Sequence, residues 1–198
     1  MAHDNLDLSA LIGSRVCHDL ISPIGAIGNG LELLLMEMPR TPELTLIAQS
    51  VQNATARVKF FRVAFGKVAM DQHVPTTEAQ KILSDLSDGG RVRYTLTSDV
   101  APQRSALRAA FLAALCVETA LPLGGTVTIT QRQDSWSVQG TGKRLDLTNP
   151  NWDRLEQATV AADLRPEEVQ FLLLPGSLRD QGRTAKVSRS ETHLCIAF

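Results

Sequence analysis

The run Cys17-His18-Asp19-Leu20-Ile21-Ser22-Pro23-Ile24 places a histidine beside an acid, with a hydroxyl and a proline one helical turn further on. An imidazole in water titrates near pH ~6.5, so much of it is neutral and nucleophilic at neutral pH. Such a ring can attack phosphorus. Asp19 can accept a hydrogen bond from one ring nitrogen, fixing the tautomer that leaves the other nitrogen free to attack. Arg15, one turn back, offers a cation to steady a transferring phosphoryl group, and Ser22 sits one turn on. The competing reading is a plain solvent-facing histidine with a plain solvated arginine.

These residues need a scaffold, and the pattern around them supplies one. From Leu8 to Met38 apolar residues recur in steps of three and four through Ile12, Val16, Leu20, Ile24, Ile27, Leu31 and Leu34, which predicts a helix. On a wheel of about 100° per residue, His18 falls roughly opposite that stripe, grouped with Ser14, Arg15, Ser22, Gly25 and Asn29. Pro23 inside a helix costs roughly 3 kcal/mol, so a bend next to the reactive face is expected. Gly25, Gly28 and Gly30 each weaken the helix by roughly 1 kcal/mol, which suggests close approach by another backbone or a simple packing need.

Pro39-Arg40-Thr41-Pro42 breaks the chain, with Thr41 suited to cap a second helix and Pro42 to begin it. Leu44, Ile47, Val51, Ala54, Val58, Phe61, Phe65 and Val68 then follow a strict heptad. Each helix is about 40 Å long, and a short link makes them an antiparallel hairpin. One hairpin cannot cover two apolar stripes of that length. A second copy can, so the expectation is a homodimer built on a four-helix bundle.

After His73-Val74-Pro75 the character changes, which divides the chain into residues 1–72 and 73–198. The second part reads helix Thr76–Leu86, strand Arg91–Thr97, helix Gln103–Thr119, strands at Val127–Ile129 and Trp136–Val138, helices near Asn151–Val160 and Pro166–Leu174, and a terminal hairpin from Thr184–Ser188 to Thr192–Phe198. That order implies a helical layer on a mixed sheet, so the fold class is α+β.

Composition narrows the function. Hydrophobic residues at 43% and a formal net charge of -1 fit an ordinary globular protein and give nucleic-acid binding little support. No uninterrupted apolar run reaches the roughly 18 residues of a membrane span. Cys17, Cys116 and Cys195 are far apart and lack metal-ligand spacing, so they read as buried thiols in a reducing cytoplasm and no metal is expected.

His18-Asp19-Leu20-Ile21-Ser22-Pro23-Ile24 resembles the H-box of two-component histidine kinases, which lies in the first helix of a dimerising hairpin. The resemblance implies that His18 is the phospho-accepting residue, that Asp19 assists proton removal, and that Ser22 can orient a water for dephosphorylation. The run from Leu112 to Ile129, with Gly124-Gly125, resembles the N-box helix, turn and strand of the same family's ATP-binding domain. Leu112 and Cys116 stand where asparagines would hold magnesium, and neither can ligate a hard cation. Gly140-Thr141-Gly142 survives of a second motif, but Val138 stands where its aspartate would read adenine, and Val169-Gln170-Phe171-Leu172 replaces phosphate-approaching glycines.

A kinase-like hairpin with a nucleotide domain lacking its ligands resembles the alphaproteobacterial ChpT-type histidine phosphotransferases over nearly the whole chain. That resemblance implies a cytoplasmic homodimer that takes phosphate from the receiver domain of a hybrid kinase and passes it to response-regulator receivers. No ATP and no resident cofactor are expected, with magnesium brought by the receiver. Leu11 and Ile21 would flank His18 in the docking surface, with Ser14, Arg15 and Ser22 beside it and Gly25 permitting close contact. The rivals are an ATP-dependent histidine kinase with a divergent nucleotide site and a non-catalytic dimeric scaffold or kinase regulator.

Overall fold

The computed structural model describes residues 2–68, 72–157 and 164–198. Helix α1 spans Ala2–Glu37 and α2 Pro42–Phe65. Thr41 caps α2 through its hydroxyl, which accepts from the Leu44 amide at 3.3 Å, and Pro42 takes the first position. The two helices pack as a hairpin. Helix α1 runs unbroken through Pro23, with no interruption at the expected bend.

Close approach does occur along this hairpin, at a different glycine from those singled out by sequence. A Cβ on Gly13 would lie 3.0 Å from the Phe65 carbonyl oxygen, so only glycine lets the two backbones meet there without displacement. Gly28 has ordinary contact with Val51, while Gly25 and Gly30 face open space.

Helix α1 splits its apolar residues between two directions. Cys17 and Leu31 are buried and Ile24 and Leu35 half-buried on the side of α2. Ile12, Val16, Leu20, Ile27 and Leu34 form a second stripe whose members remain 44% to 56% exposed. By length and composition alone Leu8–Glu37 is apolar enough to cross a membrane, with a mean hydropathy of 1.2 over an 18-residue window. Searching for uninterrupted apolar runs misses this, because Arg15, Asp19 and Glu32 interrupt the apolar sequence.

The second part contains α3 (Thr76–Ser87), β1 (Val92–Ser98), α4 (Arg104–Thr119), β2 (Gly125–Arg132), β3 (Ser135–Thr141), α5 (Asn151–Gln157), α6 (Gln170–Arg179), β4 (Lys186–Arg189) and β5 (Leu194–Ala197). A short 3-10 turn at Pro166–Glu168 precedes α6. The strands form one mixed sheet in the order β1-β2-β3-β5-β4, parallel between β1 and β2 and antiparallel elsewhere. Residues 158–160 of the expected helix after Asn151 lie outside the described residues. Along each strand the apolar side chains alternate inward, as Val92, Tyr94 and Leu96 do on β1 and Val127 and Ile129 on β2. Helices α3 and α4 pack on that face, and α6 covers α4.

The α2 heptad ends three residues earlier than the pattern predicts, at Phe65. Gly66 turns away in an extended conformation, and two arginines of α4 satisfy the last carbonyls. Arg104 donates to the Val63 and Arg62 carbonyls, each at 2.9 Å, and Arg108 donates to that of Ala64 at 3.2 Å. Phe60 stacks on Phe111 with ring centres 4.6 Å apart. Above this, Arg57 makes a bidentate pair with Glu118 at 2.9 and 3.2 Å. One continuous core therefore joins α2 to the sheet unit.

Candidate functional site

His18 projects from the middle of α1 with 84% of its side chain exposed. Its Nδ1 lies 3.1 Å from Oδ1 of Asp19, and the Nε of Arg15 donates to Oδ2 of the same carboxylate at 2.7 Å. An ionised carboxylate can only accept, so this contact requires the proton to sit on Nδ1. In the neutral ring the lone pair then lies on Nε2, on an exposed side chain. The hydrogen bond from His18, followed by that from Arg15, holds the Asp19 carboxyl below the usual carboxylate range. At neutral pH the acid is therefore charged, as this arrangement needs.

The remaining residues expected at the site fall into three groups. Leu11 and Ser22 are exposed and Ile21 half-buried, all on the helix bearing His18. Gly25 lines a groove of about 470 Å³ that α1 forms with α2 and α3, reaching Asn29, Lys59, Asp85 and Asp88. Sequence reasoning missed the residues from α2 and α3, because only the tertiary fold brings them beside α1. Ser14 is already engaged, its hydroxyl accepting from the Lys67 amide at 2.8 Å just beyond the end of α2. Among the described residues, no group of three or more His, Cys, Asp or Glu side chains is placed to hold a metal ion.

The positions aligned with kinase nucleotide ligands lie in the core. Leu112, Cys116 and Val138 are each fully buried, and burial pushes the Cys116 thiol well above its ordinary value. The surviving Gly140-Thr141-Gly142 has a packing reason of its own. A Cβ on Gly140 would lie 2.6 Å from a Val117 methyl, and one on Gly142 2.8 Å from a Leu121 methyl. Phe171 and Leu174 of α6 are buried as that helix lies over α4. These residues do not fit a magnesium-bound nucleotide: the side chains at those positions are apolar or a protonated thiol, and none offers oxygen to a hard cation.

The described residues thus form a helical hairpin presenting an exposed histidine, joined to a mixed α/β unit whose helix α4 is apolar and buried. Residues 76–193 match the histidine phosphotransferase C-terminal domain, and the chain belongs to that family. It is similar to the protein phosphotransferase ChpT of Brucella abortus (strain 2308), with 42% identity over 91 residues that cover 46% of this chain and 44% of that protein. The aligned stretch thus spans less than half the length of that relative. A bacterial phosphotransferase solved at 1.7 Å superposes with a TM-score of 0.70 at 26% identity, covering 97% of this chain and 95% of the other.

Restoring the ligand residues tests whether this face is core. Leu112→Asn with Cys116→Asn buries two amides where apolar groups packed, and should cost on the order of 3 kcal/mol or more in urea denaturation. Magnesium and a nucleoside triphosphate should leave the Tm of that variant unchanged. Full stability together with a nucleotide-dependent rise in Tm would contradict the assignment.

Proposed function

We propose that this chain is a phosphorelay intermediate in which His18 accepts a phosphoryl group from a receiver-domain aspartate and later yields it to the aspartate of a response-regulator receiver. The observation that carries this reading is the exposed Nε2 of His18, made nucleophilic by the contact between Nδ1 and Asp19. The lone pair of Nε2 forms the N–P bond as the bond from phosphorus to the donor aspartate oxygen breaks, and that carboxylate leaves with the electron pair. Asp19 does not remove the Nδ1 proton in this reading, unlike the role implied by the kinase resemblance: the proton stays on the ring, where Oδ1 of Asp19 stabilises the charge that develops. The return step is the reverse attack by the acceptor carboxylate. Such transfers depend on positioning and charge more than on covalent machinery. Magnesium would come with the receiver.

Leu11, Ile21, Ser22 and Gly25 form the partner surface in this reading, and the groove beyond Gly25 extends it towards α3. Residues 1–72 perform the transfer, and residues 73–198 hold the hairpin in place. Ser22 is positioned to orient a water for hydrolysis of the phosphorylated ring.

The exposed stripe from Ile12 to Leu34 is read as the seam for a second copy of the chain, which completes a four-helix bundle. A lipid environment is disfavoured because Arg15, His18, Asp19 and Glu32 lie on the same helix, and charged groups are costly in hydrocarbon. The two apolar faces lie about 90° apart around α1, so His18 stays outside the seam. A cytoplasmic location fits three free cysteines, two of them buried.

Two measurements test this reading. A receiver carrying labelled phospho-aspartate should transfer label to the protein but not to His18→Ala; equal labelling of the variant would refute the assignment. Light scattering should give twice the chain mass, and Val16→Glu with Ile27→Glu should halve it. A wild-type mass of one chain would contradict the bundle.

A further inference from the structure

We propose that Arg15 is a positioning residue: by tethering the Asp19 carboxylate it fixes the His18 tautomer, and it acts through that carboxylate rather than on the phosphoryl group or the partner. This inference rests on the relay reading of His18.

Arg15 and His18 occupy different oxygens of one carboxylate, Nε on Oδ2 at 2.7 Å and Nδ1 on Oδ1 at 3.1 Å. Consecutive residues on a helix point about 100° apart, so the Asp19 side chain must lean towards His18 to make that contact. Nearly half of it is exposed. Arg15, four residues earlier, is the neighbour that helical geometry brings alongside. Its bond to Oδ2 takes up one oxygen and turns the other to Nδ1.

The cation has a second effect. As the N–P bond forms, the ring becomes cationic and its Nδ1 proton could pass to Asp19. A carboxylate already neutralised by a guanidinium has less affinity for that proton, so the proton stays on the ring as a hydrogen-bonded partner. The Arg15–Asp19 pair is exposed on both sides, and pairs of that kind contribute little to stability. Its geometry therefore serves the imidazole and not the fold. Substitution of Arg15 should accordingly leave folding intact, which makes it a clean probe.

Nitrogen-15 NMR of the imidazole in the full-length, unphosphorylated protein reads the tautomer directly, with the His18 signals identified by their loss in His18→Ala. The wild type should show predominantly the Nδ1–H form. Arg15→Gln should shift the population towards Nε2–H, as Asp19→Asn does, and should slow phosphoryl transfer from a labelled receiver by roughly ten-fold. In the Asp19→Asn background, Arg15→Gln should change neither the tautomer nor the rate further. An unchanged tautomer in Arg15→Gln would overturn the proposal. So would an undiminished further loss of rate in the Asp19→Asn background, which would place Arg15 on the phosphoryl group or the partner. Labelling of His18→Ala would instead sink the relay reading while leaving the tautomer result standing.

Discussion

The end of α2 must be satisfied inside the molecule, and the rest of the structure depends on how that is done. The last carbonyls of a helix have no partners within it, and those of α2 lie beside the buried Val63 and Ala64. Arg104 and Arg108 supply the missing donors. Because both belong to the first turns of α4, the bonds that finish α2 also dock it on the sheet unit. The Phe60–Phe111 stack and the Arg57–Glu118 pair extend this joint along α2. Helix α1 is then fixed by the Gly13 approach to Phe65 and by the Ser14 bond to Lys67. His18 stands one turn beyond Ser14, so its position follows from a joint made by residues far away in sequence.

The same joint leaves α4 enclosed. Helix α4 faces α2 on one side, the sheet on another and α6 on a third, and its residues from Ala109 to Ala114 are fully buried. A helix so enclosed cannot also present oxygen donors to a hydrated cation. Leu112 and Cys116 serve packing, and Gly140 of β3 and Gly142 just beyond it make room for Val117 and Leu121.

Much of this was legible in the sequence. Periodicity gave both long helices, and the alternation and turn residues gave all five strands, with ends displaced by up to three positions. The Leu112, Cys116 and Val138 substitutions were readable as soon as the motifs were aligned. Features set by tertiary contact were not. The end of α2 depends on arginines some forty residues away. The close-approach glycine is Gly13, because Phe65 happens to lie opposite it, whereas Gly25 and Gly30 meet nothing. The wheel placed Ser14 beside His18 without showing that its hydroxyl is used to brace the hairpin. Nor could it show that Arg15 and His18 share a carboxylate, since spacing allows that contact but side-chain geometry decides it.

The source of the phosphate is the central claim, and it can be tested head to head. Purified protein would be offered magnesium-ATP labelled at the terminal phosphate in one reaction and a receiver loaded with labelled acyl phosphate in another, with phosphohistidine measured in both. Label from the receiver alone is the predicted result. Phosphohistidine formed from ATP with no other protein present would contradict the account.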